Sequence, residues 1–350
     1  MRAHVFIVNE ETLPIHLQYN FVGTSSKERN SNISLLADMK RVKTGDLVFF
    51  YIEGRGTKKG RFFGTYQIKD EQVIHCQDSE ALKPNLPVKL IYRRRIVPNE
   101  VFPQGILEWE ALDKLPRFAC ELFWTLIYRK MKANRGNTML FPWETNRLLD
   151  LIRDVNNNHS IAYQYYNFDK SKYEICRGKE SKPIEECNVA QVMKDEIYKS
   201  ESHLQAYLLE NIGVETNSFL PEIFGKKIIW LGNEVFAGSG MQKIDIMTIE
   251  DVGTEKFLYR LIELKHPKSS SNFTNAPNQL EYYVNWARED IGGHIIGSRK
   301  FNIKPILINL RNSKYSLPSS IVQDFKKLEH ISEKPEIWEL DANLHSNKVY

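Results

Sequence analysis

A chain of 350 residues with 42% hydrophobic and 11% aromatic content is longer than most single domains and can bury two ordinary cores, so two globular units are expected. Its 48 Lys and Arg against 44 Asp and Glu leave a formal charge of +4, too small to announce nucleic acid by itself. No apolar run approaches the roughly 18 residues of a membrane span, and Met1-Arg2-Ala3-His4-Val5-Phe6-Ile7-Val8 reads as an opening strand rather than a signal peptide, which leads to the expectation of a cytoplasmic protein.

Residues 3–8, 46–52, 61–68 and 87–97 are rich in Val, Ile, Phe and Tyr and are expected as strands, with a helix near Ser34 to Met39 between the first two. Residues 1–150 hold 23 Lys and Arg against 17 Asp and Glu, so the excess positive charge lies in this half. Arg55, Lys58 and Lys59, with Arg61 just beyond, surround a loop containing Gly54, Gly56 and Gly60, where a flexible backbone leaves the charges free to meet phosphates. Arg93-Arg94-Arg95 alternates faces on a strand, so at most two of the three share a direction; phosphate contact and an ordinary exposed face are equal readings. Trp143 offers a flat indole face on which a base can stack, and packing on the core is the alternative.

The order of these elements, the core Gly45-Asp46-Leu47-Val48-Phe49-Phe50-Tyr51 followed by Gly60 to Ile68, and a later helix from Glu121 to Lys132 leading into Arg135 to Trp143 resemble the EVE domain, a PUA-like small β-barrel related to the YTH readers of methylated RNA. The resemblance implies an α+β PUA-like domain over residues 1–150 that grips nucleic acid beside the barrel and holds a flipped, modified base in an aromatic pocket.

Residues 151–190 are polar and interrupted, with Asn156-Asn157-Asn158 as a breaker and a charged stretch from Lys170 to Lys182, and are expected as a connecting region. The aromatic run Ile161 to Phe168 is expected as a strand within it. Cys76, Cys120, Cys176 and Cys187 lack CxxC spacing and are too few for a disulfide framework in so long a chain, so reduced thiols and no zinc site are expected; a Cys176–Cys187 hairpin bridge is the alternative.

In residues 191–350 the stretch Gln242-Lys243-Ile244-Asp245-Ile246-Met247, a polar turn through Glu250, Asp251 and Gly253, and Phe257 to Pro267 read as a hairpin of two apolar strands. Alternation puts Glu263 and Lys265 on one side with Leu264 opposite, and Asp245 on the partner strand within reach. Two carboxylates converging on one point repel unless a cation lies between them, and hard oxygen ligands of this kind suit Mg²⁺ or Mn²⁺. Such a cation activates water and neutralises phosphate charge, while Lys265 orients the nucleophile or steadies the oxyanion, which is the chemistry of phosphodiester hydrolysis. An accidental surface ExK pair is the competing reading, but Leu261, Ile262 and Leu264 set these charges beside a core. Ser269 to Thr274 is expected as a loop approaching a phosphate backbone, Pro277 to Arg288 as a helix, Lys304 to Leu310 as a buried strand, and the tail as a helix and a short strand at Ile337 to Leu340.

Asp245, Glu263 and Lys265 in this order resemble the D…ExK core of the PD-(D/E)xK nuclease superfamily, and Gln279-Leu280-Glu281-Tyr282-Tyr283 resembles the Q-x-x-x-Y helix motif of its RecB-like and NucS-like branches. The resemblance covers roughly residues 196–312 and implies an α/β restriction-endonuclease-like domain. It implies catalytic roles for Glu201 and Gln279 besides Asp245, Glu263 and Lys265, and a metal held by Asp245, Glu263 and the backbone carbonyl of Leu264. Lys243, His266 and Tyr283 beside the motif are candidate DNA contacts. Glu210 competes with Glu201, but the two face opposite ways on one helix, and Glu201 shares a face with Leu204 and Leu208.

Together these readings predict a Mg²⁺-dependent DNA endonuclease of restriction or defence type, acting as a homodimer because cutting both strands needs two centres. A repair nuclease for mismatched or branched DNA, and a non-catalytic nucleic-acid binder, are the alternatives.

Overall fold

The computed structural model of the chain describes residues 2–24, 33–54, 59–76, 86, 90–113, 136–182, 187–213, 219–238, 242–253, 256–268, 275–291, 300–311, 317, 320–341 and 343–350. The expected helix from Glu121 to Lys132, the loop Ser269 to Thr274, and the candidates Arg55 and Lys58 lie outside them. The contacts divide the chain into two units, Met1–Gln191 and Val192–Tyr350.

In the N-terminal unit β1 (Ala3–Val8) pairs in parallel with β3 (Leu47–Ile52), and β3 runs antiparallel to β4 (Arg61–Ile68). β8 (Asn137–Leu140) closes on the other side of β1, and β6 (Tyr92–Pro98) joins β4 to the short β2 (Phe21–Thr24) and β5 (Ile74–His75). β7 (Ile106–Leu107) adds to the far end of β4. Every residue of β3 is buried, because both faces of this central strand are covered.

Among the described residues its α-helices are α1 (Leu13–Tyr19), α2 (Ile33–Arg41), α3 (Glu108–Asp113) and α4 (Pro142–Val155). α1 carries Pro14 in its first turn, where the missing N–H is no loss, and stops at Asn20 in the left-handed region. α4 lays Leu148, Leu149, Leu151 and Ile152 on Val5, Leu47, Phe49 and Phe62 to form a core.

The expected connecting region belongs to this unit instead. β9 (Tyr166–Asp169) and β10 (Glu174–Arg177) form their own hairpin, so the aromatic run is a strand only in its last part. Phe168 and Tyr166 bury their rings against Phe63 and Tyr66, and β11 (Asn188–Val189) pairs with β5. Lys182 N donates to Gln18 O at 2.9 Å, and buried Lys40 donates to Ala190 O. Polarity misled here because the segment is pinned by backbone pairing and a few aromatic rings rather than by an apolar stripe. The thiol expectation is also corrected: Cys76 and Cys187 form a disulfide across 111 residues, and Cys176, the hairpin alternative, is free.

The C-terminal unit is one mixed sheet in the order β12 (Ile228–Ala237), β13 (Gln242–Gly253), β14 (Lys256–Lys265), β15 (Lys300–Leu310), β16 (Glu336–Leu340) and β17 (Ser346–Lys348). β12 to β14 run antiparallel, β14 to β16 parallel, and β17 antiparallel again. Residues 259–265 of β14 are all buried, since helices α5 (Glu201–Asn211) and α7 (Ala276–Trp286) both pack on this strand. Two short α-helices, α6 (Pro221–Phe224) and α8 (Ser320–Lys326), also belong to the unit. The expected polar turn at Glu250 is a continuing strand: Glu250 is buried and ion-paired to Arg260 across β13 and β14, and β13 runs on to Gly253. Among the described residues no helix is long and apolar enough to cross a membrane.

The disulfide supports a prediction. Reduction, or Cys76→Ser, should lower the melting midpoint of the N-terminal unit, with an upper limit of about 4 to 5 kcal/mol from closing so long a loop. Melting curves with and without reductant test this, and coincident curves would mean that the bridge carries no stability.

Candidate active site

The paired strands β13 and β14 are in register at Ile246 with Ile262 and Met247 with Leu261. One step further along that register Asp245 stands across from Glu263, so the alternation expected from sequence delivers the two acids to one place. The paired register ends at Ile246 and Ile262, and beyond this gap in the ladder the Asp245 side chain meets β14: its Oδ2 accepts from the N–H of Leu264 at 2.7 Å. A strand residue's N–H and C=O leave on the same edge, so the carbonyl of Leu264 faces this gap too.

Glu263 and Lys265 are both buried, and Lys265 Nζ donates to Glu263 Oε1 at 2.6 Å. The same ammonium donates to Gln279 Oε1 at 3.2 Å, so α7 fixes where the lysine points. Two of its three N–H groups are thereby committed, and one is left for a further acceptor. Glu263 Oε2 is buried with no hydrogen-bond partner. Glu201 opens α5 behind the N-cap Ser200, where the positive end of the helix dipole favours a carboxylate. Glu210, the competing acid, lies at the other end of α5 and accepts from Val192 N.

Burial, then the charges of Glu263 and Glu201, push the Asp245 carboxyl well above the usual carboxylate range; the Leu264 N–H opposes this and Glu234 adds to it. Burial also raises Glu263, Lys265 opposes by charge and hydrogen bond, and Glu201 and Glu234 add to the rise. Four acids therefore share one field. Among the described residues no group of three or more His, Cys, Asp or Glu side chains is placed to hold a metal ion between them. The donor set that the site does offer is smaller: Asp245, the unpartnered Glu263 oxygen and the Leu264 carbonyl. These are all hard oxygen donors with an uncompensated negative charge, which fits a divalent cation of the Mg²⁺ class.

Two residues at this site escaped the sequence reading. Gln205 is buried on α5 one turn after Glu201, and its Nε2 donates to Asp245 O at 2.8 Å and to Glu234 Oε1 at 3.3 Å. Glu234 also receives Lys243 Nζ at 3.1 Å. The signal for Gln205 was its i+4 spacing from Glu201, and for Glu234 a lone acid inside an apolar strand.

Several candidate DNA contacts are corrected. Tyr283 is buried and donates its hydroxyl to Lys243 O at 2.6 Å, which pins α7 to β13; burial raises its phenol pKa. His266 is buried with Nδ1 accepting from Lys268 N, so Nε2 donates to Ile197 O at 3.0 Å, and burial lowers its pKa. Lys243 is engaged by Glu234 and lies over the Phe236 ring at 5.2 Å. In the N-terminal unit Trp143 is only 8% exposed and stacks on Phe141 at 4.6 Å, so that face is taken. Lys59 lies over the exposed Trp109 ring at 5.3 Å, and half-buried Arg61 over Tyr173 at 5.5 Å. Arg93 and Arg94 are buried on the carbonyls of Leu90 and Asp70, while Arg95 pairs with Asp70 at 2.6 Å, which removes the run as a phosphate grip.

No family model and no curated protein matches this chain. Solved structures similar to it include a hypothetical protein from Leishmania major, 12% identical over 44% of this chain and 96% of that one with a TM-score of 0.33. A protein from Pseudomonas putida is 13% identical over 43% and 98%, with a TM-score of 0.29. The human THYN1 protein in complex with 5-methylcytosine-containing DNA is 12% identical over 43% and 97%, with a TM-score of 0.27. TM-scores of this size carry no argument about this chain.

Because the Asp245 carboxyl binds its proton more tightly in the folded state than in the unfolded one, its contribution to stability is fully present below the unfolded value of about 4 and is lost as pH rises through the raised folded value. Metal-free protein should thus gain stability from Asp245→Asn, with a gain that grows as pH rises toward neutrality. Denaturant midpoints in EDTA from pH 5 to 8 measure this; a variant that is less stable at every pH would contradict the charge cluster.

Proposed function

We propose that the C-terminal unit is a PD-(D/E)xK-type endodeoxyribonuclease dependent on Mg²⁺ or Mn²⁺, and that the N-terminal unit is an EVE-like, PUA-like reader of a DNA sequence or modified base. The reading rests above all on Glu263 Oε2, a buried carboxylate oxygen without a partner, held beside Asp245 by a lysine whose own position is fixed. A burial this costly is hard to explain as an accident of packing.

Asp245, Glu263 and the Leu264 carbonyl would hold the cation, which when bound supplies Lewis acidity and an activated water. Lys265 keeps one N–H for a phosphate oxygen or the attacking water, and Glu263 and Gln279 prevent it from swinging away. Gln279 is therefore a positioning residue, because it acts through Lys265. Glu201 adds negative charge at the mouth of the helix dipole, where it can orient water. The role in restriction or defence follows from joining a reader to a cutter, and double-strand cleavage with one centre per chain calls for a homodimer.

Asp245→Ala or Lys265→Ala should abolish cleavage by at least about a hundredfold while leaving DNA affinity nearly unchanged, since these groups serve the transition state more than the ground state. Ca²⁺ should support binding with little turnover. Plasmid cleavage and gel-shift assays on methylated, unmethylated and mismatched duplexes test the reading: full activity of the Asp245 variant or in excess EDTA would refute it, and a preference for mismatches would move the protein to repair.

A further inference from the structure

The register of the C-terminal sheet carries the acids further than the D…ExK motif. Asn233 pairs with Ile246 and Val235 with Ile244, so Glu234 lies directly across β12 and β13 from Asp245. With Glu263 on the far side, three carboxylates occupy one row on three adjacent strands. Like charges directly opposite each other on paired strands repel. Glu234 also has φ at +50°, a left-handed conformation that is costly for any residue with a Cβ, and such strain is kept where the surroundings over-determine it. The surroundings here are explicit: Gln205 donates to one of its oxygens and Lys243 to the other, and Gln205 at the same time grips the backbone carbonyl of Asp245.

We propose that Glu234 is a positioning residue of the cation site, which strengthens divalent binding at Asp245 and Glu263 through its charge while Gln205 locks the Asp245 backbone, and that Lys243 moderates this effect by partial neutralisation. The inference rests on the cation site proposed above. Glu234 does not need to touch the cation, because Asp245 stands between them in the row.

Mn²⁺ binding to the full chain, followed by loss of the free-ion electron paramagnetic resonance signal, tests this without DNA or turnover. Glu234→Gln should weaken Mn²⁺ binding about tenfold, the scale on which groups around the ligands act. Lys243→Gln should shift affinity the opposite way, by a few fold. In EDTA, Glu234→Gln should melt no lower than wild type, because a repelling charge has gone, and its Mn²⁺-induced rise in melting temperature should shrink. Unchanged Mn²⁺ affinity in Glu234→Gln, or weaker binding in Lys243→Gln, overturns the inference while leaving the nuclease reading intact. A wild-type chain that binds no Mn²⁺, or an Asp245→Asn chain that binds it as well as wild type, overturns the nuclease reading itself. If Glu234→Gln fails to fold, the Lys243→Gln arm decides alone.

Discussion

Three carboxylates in one row across β12, β13 and β14 set the terms for the rest of the C-terminal unit. Two like charges about 5 Å apart at an effective dielectric of about 20 cost on the order of 3 kcal/mol. The sheet bears this because Ile244, Ile246, Leu261, Ile262 and Leu264 around the row are fully buried, each contributing about 1.5 to 3 kcal/mol. The apolar interior of the unit is what permits its charged centre, and the centre keeps its geometry because the strands that carry it cannot slip register without exposing that interior.

The two helices on the sheet divide the work of holding this arrangement. From α5, Gln205 reaches the Asp245 carbonyl and Glu234. From α7, Gln279 reaches Lys265 and, one turn on, Tyr283 reaches the Lys243 carbonyl. The Q-x-x-x-Y spacing is thus a mechanical link: one end of it orients an ammonium and the other anchors the strand that bears the aspartate. Tyr282 adds a further tie to Ala237 at 3.3 Å.

What could be read in the sequence was whatever depends on near neighbours. β1 and β4 have the bounds that their Val, Ile, Phe and Tyr content predicts, and the pairing of Glu263 with Lys265 follows from alternation alone. Glu234 stayed hidden because its meaning comes only from a partner on the next strand. His266 and Tyr283 misled for a related reason: a polar aromatic side chain looks like a surface contact until the carbonyl that satisfies it is known. The residues after Val155 looked like a linker because their stability comes from the pairing of β11 with β5 and a distant cysteine, neither of which leaves a periodic trace.

The bond between Cys76 and Cys187 has a topological side as well. It turns everything between those residues into a covalent ring, and that ring holds β6, β7, β8, α3, α4 and the β9–β10 hairpin. A single backbone cut within the ring opens it without dividing the chain, so the two ends of a nicked molecule stay tethered and the strands on either side of the cut can find each other again. Inside the ring the N-terminal unit is therefore joined by two covalent routes instead of one, for as long as the two sulfurs remain bonded.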